Sequence, residues 1–126
     1  MILSIGIDII EVYRIREPLD RTARFAERVF TEGERQYCEG RGKGSDQSYA
    51  ARFAAKEAFM KALRSGWRGE LAWQEVEVVV DELGAPSLVV KGEAQKQMQA
   101  LGADRIHLSI SHTREHAIAQ VILEAG

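Results

Sequence analysis

At 126 residues the chain reads as one domain, residues 1–126, long enough to bury a proper core. Its 45% hydrophobic and 29% charged residues suit a soluble globular protein, and a net charge of −2 gives no bulk attraction to nucleic acid or membrane. The one cysteine, Cys38, excludes an internal disulfide and a cysteine-rich zinc site and is expected to be a small buried residue.

The apolar run Met1–Ile10 contains Asp8 and has no basic flank before it. It is expected to be neither a signal peptide nor a membrane span, which leaves a cytoplasmic location as the default. Ile2 to Ile10 instead reads as a buried strand in which Gly6 permits a close backbone approach. Asp8 interrupts it, and two readings stand. On an alternating strand Asp8 faces solvent while Ile7 and Ile9 point inward; or Asp8 is a metal ligand near the end of the strand, because an acid among isoleucines is costly without a partner.

Tyr13 to Phe30 is expected to be helical with a break near Pro18. Arg21, Arg24 and Arg28 fall within about 60° of one another on a helical wheel, and Arg14 and Arg16 precede them. They are a solvated face partnered by Glu17, Asp20 and Glu27, or a docking stripe for an acidic protein, since guanidinium groups pair carboxylates two-pronged. Thr31 and Glu34 have capping-box spacing, so a helix is expected from Thr31 to about Glu39. Gly40 to Ser45 reads as a flexible loop carrying Lys43.

A longer helix is expected from about residue 46 to 65, capped by Asp46 or Ser45, with Tyr49, Phe53, Met60 and Leu63 as its apolar stripe. Glu57 falls about 40° from Phe53 on the wheel and so points towards the core side. Lys61 lies one turn on, and Arg52 and Lys56 flank it. Glu57 and Lys61 form an ordinary surface pair worth about 0.3–0.5 kcal/mol, or the acid and its surrounding cations serve a metal and a phosphate.

Ser65 to Gly69 should end this helix on a glycine turn. Trp73 to Asp81 alternates as a strand, Leu83 to Pro86 turns, and Ser87 to Val90 returns as a hairpin. Glu93 to Leu101 is a short helix closed by Gly102. Arg105 to Ser111 alternates as a strand, Thr113 to Glu115 turns, and Ala117 to Leu123 runs back. His112, at that strand end beside hydroxyls and Arg114, is a surface or hydrogen-bonded structural residue, or a phosphate ligand.

Three separated stretches now combine: Gly6-Ile7-Asp8-Ile9-Ile10-Glu11, Arg52-Phe53-Ala54-Ala55-Lys56-Glu57-Ala58 and Leu108-Ser109-Ile110-Ser111-His112. In this order, with Arg24–Thr31 and Ala117–Val121 alongside, the whole chain resembles the holo-[acyl-carrier-protein] synthase family of 4′-phosphopantetheinyl transferases. The resemblance implies an α+β fold, an antiparallel sheet packed against helices, in a homotrimer with active sites between subunits. It implies transfer of the 4′-phosphopantetheine arm of coenzyme A to a serine of acyl carrier protein, releasing adenosine 3′,5′-bisphosphate and supporting fatty acid biosynthesis.

By that resemblance Asp8 and Glu57 bind Mg²⁺, Glu57 and Lys61 are catalytic, and Lys61 contacts the reacting phosphates. Arg52, His112 and Lys43 serve coenzyme A, and Arg14, Arg21, Arg24 and Arg28 dock the carrier protein. No residue is assigned as general base; metal-bound water and a nearby carboxylate such as Glu34 are the candidates for the serine proton. The wording Arg64-Ser65-Gly66-Trp67-Arg68 departs from the family's usual Gly-Thr-Gly-like loop. Two rival readings are a metal-dependent nucleotide pyrophosphohydrolase using the same acids, and a non-catalytic binder of an acidic protein.

Overall fold

The computed structural model describes residues 1–64 and 72–126. Strand β1 (Ile2–Glu11) leads into helices α1 (Tyr13–Arg21), α2 (Ala23–Val29) and α3 (Glu32–Glu39), then the long α4 (Ser45–Ala62). The hairpin β2 (Val76–Val80) and β3 (Pro86–Val90), helix α5 (Gly92–Leu101) and strands β4 (Arg105–His112) and β5 (His116–Glu124) follow. Among the described residues, β1, β5 and β4 form one antiparallel sheet in that order, and β2 and β3 form another. This is the α+β arrangement of antiparallel sheet and helices that the resemblance implies.

Helix α4 lies across the inner face of the three-stranded sheet, where Ala117, Ala119, Val121 and Leu123 of β5 are buried. It meets β1 at Gly6. A Cβ there would stand 2.0 Å from the Ala58 carbonyl oxygen and 2.7 Å from the Ala62 nitrogen, so glycine is needed for this approach. The Ser4 hydroxyl donates to the Ala62 carbonyl at the same crossing.

The crossing sets the facing of β1, which is opposite to the solvent-facing alternative for Asp8. Ser4 and Gly6 are buried and Asp8 shares their side, while Ile5, Ile7 and Ile9 are 57%, 53% and 64% exposed. The expectation of a strand filled inward by isoleucine is therefore corrected. With a period of two, burying Gly6 against α4 sends the odd-numbered residues out.

Several boundaries also differ. The first helix passes through Pro18 and breaks instead at Thr22, whose extended backbone and hydroxyl, accepting from the Arg24 N–H, start α2. The expected flexible loop holds a tight 3₁₀ turn, Gly42–Gly44, and the residue capping α4 is Gly44, not Ser45 or Asp46. Helix α4 closes at Leu63 with Arg64 left-handed, at φ 65°. The expected glycine turn at 65–69 lies outside the described residues. Trp73–Glu75 is a 3₁₀ turn preceding β2. The capping box at Thr31 and the Gly102 closure of α5, at φ 96°, form as expected.

Helix α4 carries more than one apolar stripe. Ala50, Ala51, Ala54, Ala55, Ala58 and Ala62 are buried along with Tyr49, Phe59 and Met60, because the sheet covers one side and α1, α3 and β2 cover others. On the side away from the sheet, Lys56 is fully buried beside a fully buried Glu34, Nζ to Oε1 2.8 Å. Lys56 also donates to the carbonyls of Trp73 (3.2 Å) and Val76. Glu34 accepts from the backbone N–H of Thr31 (2.9 Å) and of Val78 (2.7 Å). Burial pulls the Lys56 ammonium below its ordinary value, and Glu34 opposes that fall.

Lys56 therefore does not flank Glu57 as a free cation, and Glu34 is committed to holding the fold, which removes it as a candidate base. We expect Lys56→Met to destabilise the protein by about 3–5 kcal/mol in urea denaturation, because it leaves a carboxylate buried without its counter-charge. Adding Glu34→Gln should recover part of the loss. A single variant as stable as the wild type would show that the pair is dispensable.

Candidate active site

The facing of β1 that exposes its isoleucines aims Asp8 at α4. Glu57 adjoins Ala58, the residue that lies on Gly6, so the two acids meet just beyond the crossing. They line an open cavity of about 450 Å³ with Ile9, Ile10, Glu11, Arg14 and Phe53. The Lys61 ammonium donates to Asp8 Oδ1 at 2.9 Å and to the Ile7 carbonyl at 3.1 Å. It pairs with the acid on the strand, so the alternative of a surface pair between Glu57 and Lys61 is not what forms.

Electrostatically the acids are unequal. Asp8 has the ammonium, whereas Glu57 is half-buried, and its carboxyl lies above the usual carboxylate range. Burial is the main cause, Asp8 adds repulsion, and Lys61 partly opposes both. Two oxygen-bearing acids that repel each other on an open cavity fit a hard divalent cation that keeps water or phosphate oxygens as further ligands. Among the described residues no group of three or more His, Cys, Asp or Glu could hold a metal. The donor set thus suits Mg²⁺ completed by substrate oxygens, not a closed zinc site.

The four arginines separate. Arg21, Arg24 and Arg28 line one groove of about 570 Å³ with Pro18, Thr22, Phe25 and Glu27, although the break at Thr22 places Arg21 on α1 and the other two arginines on α2. Arg14 lines the acid cavity instead. Its Nε donates to Glu11 Oε1 at 2.9 Å.

The other expected residues do not line the acid cavity within one chain. Arg52 is buried over the Tyr37 ring, 4.1 Å from its centroid, with Nη1 donating to the Ser48 carbonyl at 3.4 Å and Nε buried without a partner. Lys43 is exposed on the 3₁₀ turn. His112 ends β4 on a separate cavity of about 310 Å³ with Ile9, Ser111, Thr113, His116, Ala117 and Ile118. Ile9 and Ile118 belong to the exposed isoleucine face, so this cavity opens at that face.

Glu11 and Phe53 were not singled out for the site, yet both line the acid cavity. Glu11 lay within the quoted first stretch, three residues after Asp8, but the turn at Val12 that brings it alongside has no sequence signature.

The chain belongs to the 4′-phosphopantetheinyl transferase superfamily, whose family model matches residues 4–121. Its full-length likeness is narrower. The holo-[acyl-carrier-protein] synthase of Koribacter versatilis is 46% identical over 125 residues, covering 98% of this chain and 99% of that protein. A holo-(acyl-carrier-protein) synthase from Bacillus anthracis, solved in complex with CoA (3′,5′-ADP), superposes with TM-score 0.82 at 42% identity, covering 100% of this chain and 99% of that one. The holo-[acyl-carrier-protein] synthase of Neisseria meningitidis gives 0.85 at 36% identity, with 98% and 99% covered.

Because burial and Asp8 both raise Glu57, we expect its carboxyl to titrate above the ordinary glutamate range in carbon-detected NMR. Asp8→Asn should bring it down. A Glu57 titration unchanged by Asp8→Asn would show that the two acids are not coupled.

Proposed function

We propose that this chain transfers the 4′-phosphopantetheine of coenzyme A to a serine of apo acyl carrier protein, with Mg²⁺, releasing adenosine 3′,5′-bisphosphate. The observation that carries the reading is the facing of Asp8 and Glu57 across an open cavity that also holds Arg14, in a chain similar over its full length to holo-[acyl-carrier-protein] synthases. The likeness to a relative solved with coenzyme A supports the donor. In this reading one domain spanning 1–126 serves fatty acid biosynthesis in the cytoplasm, and no described helix is long and apolar enough to cross a membrane.

In the reaction the serine hydroxyl oxygen forms a bond to the β-phosphorus of the coenzyme A pyrophosphate. The bond from that phosphorus to the bridging oxygen breaks, the nucleotide leaves with the bridging electrons, and the serine proton passes to water. A divalent cation held by Asp8 and Glu57 would neutralise charge on the pyrophosphate. Lys61, on Asp8, brings a movable positive charge to the same place, suited to phosphate oxygens that gain charge as the bond breaks. The groove of Arg21, Arg24 and Arg28, with Phe25 as its apolar wall, suits an acidic carrier, whose approach it would steer in a salt-sensitive way.

Coenzyme A takes Arg52, Lys43 and His112 in this reading, with the site completed between subunits of a homotrimer. The exposed isoleucines support that assembly: Ile5, Ile7, Ile9 and Ile118 form an apolar sheet face of the kind that marks an interface, and the His112 cavity opens on it. A partner there would bring a second chain's residues beside His112.

The deciding experiment is the intact mass of apo acyl carrier protein after incubation with this protein, coenzyme A and Mg²⁺. We expect a gain of one phosphopantetheine that is lost without Mg²⁺ and reduced at least about a hundredfold in rate by Asp8→Ala or Glu57→Ala, with both variants folded. Retained transfer in those variants would remove the metal assignment. Hydrolysis of coenzyme A without carrier would favour a pyrophosphohydrolase. Sedimentation should show a trimer, converted by Ile7→Lys to a smaller species with lower transfer; an unchanged mass would place the interface elsewhere.

A further inference from the structure

Glu11 has no part in the reaction as described, yet it stands on the cavity with Asp8 and Glu57. It ends β1, and Arg14 lies in the first turn of α1, with Val12 as the corner between them. That corner is rigid: Val12 is 1% exposed, its N–H donates to the Glu115 carbonyl at 2.8 Å, and its carbonyl accepts from Ile15 and Arg16, each at 3.0 Å. The spacing of Glu11 and Arg14 is thereby set by buried backbone, while their side chains remain 44% and 62% exposed at the cavity.

The contact between them uses Arg14 Nε, at 2.9 Å from Glu11 Oε1. The guanidinium also lies 5.9 Å over the Tyr13 ring. A guanidinium gripped at Nε has its rotation restricted and its two-pronged Nη edge directed away from the gripping carboxylate. Arg14 is also the arginine that leaves the company of Arg21, Arg24 and Arg28. Each of two cavity acids thus carries its own cation, Asp8 with Lys61 and Glu11 with Arg14, while Glu57 forms neither pair.

We infer that Glu11 is a positioning residue that holds Arg14 on the reacting cavity, so that Arg14 acts on the transfer step and not on carrier docking alone. The inference rests on the transferase reading above. Its ligand is an oxyanion, a phosphate of the donor or a carboxylate of the acidic carrier, and the two are told apart by which substrate's constants move.

The test is steady-state transfer by the full chain and its Glu11→Ala, Glu11→Gln, Arg14→Ala and Glu11→Ala/Arg14→Ala variants, with melting temperatures measured on each. Glu11→Ala should lower kcat about fivefold, the size of one exposed ion pair, with the melting temperature unchanged. Glu11→Gln keeps an oxygen that accepts from Nε and should restore most of the rate. In the Arg14→Ala background, Glu11→Ala should change nothing further. A change in KM for coenzyme A assigns the oxyanion to the donor, and a change in KM for the carrier assigns it to the acceptor.

Independent, multiplying effects of the two substitutions would overturn the inference. So would a silent Glu11→Ala, or a Glu11→Gln as slow as Glu11→Ala. If the wild type transfers and any of these holds, the inference alone falls. If the wild type does not transfer, the transferase reading falls and takes the inference with it.

Discussion

Helix α4 touches the backbone of β1 at a residue with no side chain, and the geometry of the site follows from that contact. A Cβ on Gly6 would stand inside the Ala58 carbonyl. Because glycine lets the two backbones meet, the residues just beyond the crossing, Asp8 on the strand and Glu57 on the helix, are brought together without either having to reach. The same contact sets which half of β1 faces inward. Ser4, Gly6 and Asp8 turn towards α4, and Ile5, Ile7 and Ile9 turn out. One strand thus supplies an acid to the cavity on one face and an apolar surface on the other.

The crossing fixes where α4 lies, and the buried pair of Lys56 and Glu34 fixes its rotation. Lys56 adjoins Glu57 but points about 100° away around the helix, into the carbonyls of Trp73 and Val76 and the Glu34 carboxylate. Any turn of the helix that moved Glu57 away from Asp8 would strip a buried ammonium of its partners, which is costly in a low-dielectric interior. Glu34 spends one oxygen on the Thr31 cap and the other on the Val78 N–H, so α3, α4 and the hairpin are held at one point.

Local signals were legible wherever one residue type has one strong use. The Thr31 and Glu34 capping box, the hairpin turn, the left-handed Gly102 and the close approach at Gly6 are of this kind. Glu57 was readable as core-facing because its angle on the helix put it beside Phe53, and both line the cavity. Facing was less legible. An alternating strand with isoleucine on one side and Ser, Gly and Asp on the other reads as buried isoleucine, since within one chain nothing announces that the apolar face stays open. The partners of the cations were not legible for a similar reason. Arg52, Lys56 and Lys61 are alike in type, and tertiary packing alone sends one over Tyr37, one to Glu34 and one to Asp8. The break at Thr22 was hidden because Pro18 is the louder residue, although a hydroxyl capping a new helix is the stronger stop.

Cys38 sits on α3 four residues after Glu34 and is fully buried, with burial pushing its thiol up to about 12. A thiol in that state is unreactive towards alkylating reagents while α3 stays docked, and becomes reactive when the helix lifts. Lifting α3 also withdraws Glu34 from Lys56. The chain therefore carries its own chemical clock: the rate at which its one sulfhydryl is modified in the native state counts the openings of the joint that keeps the two cavity acids face to face.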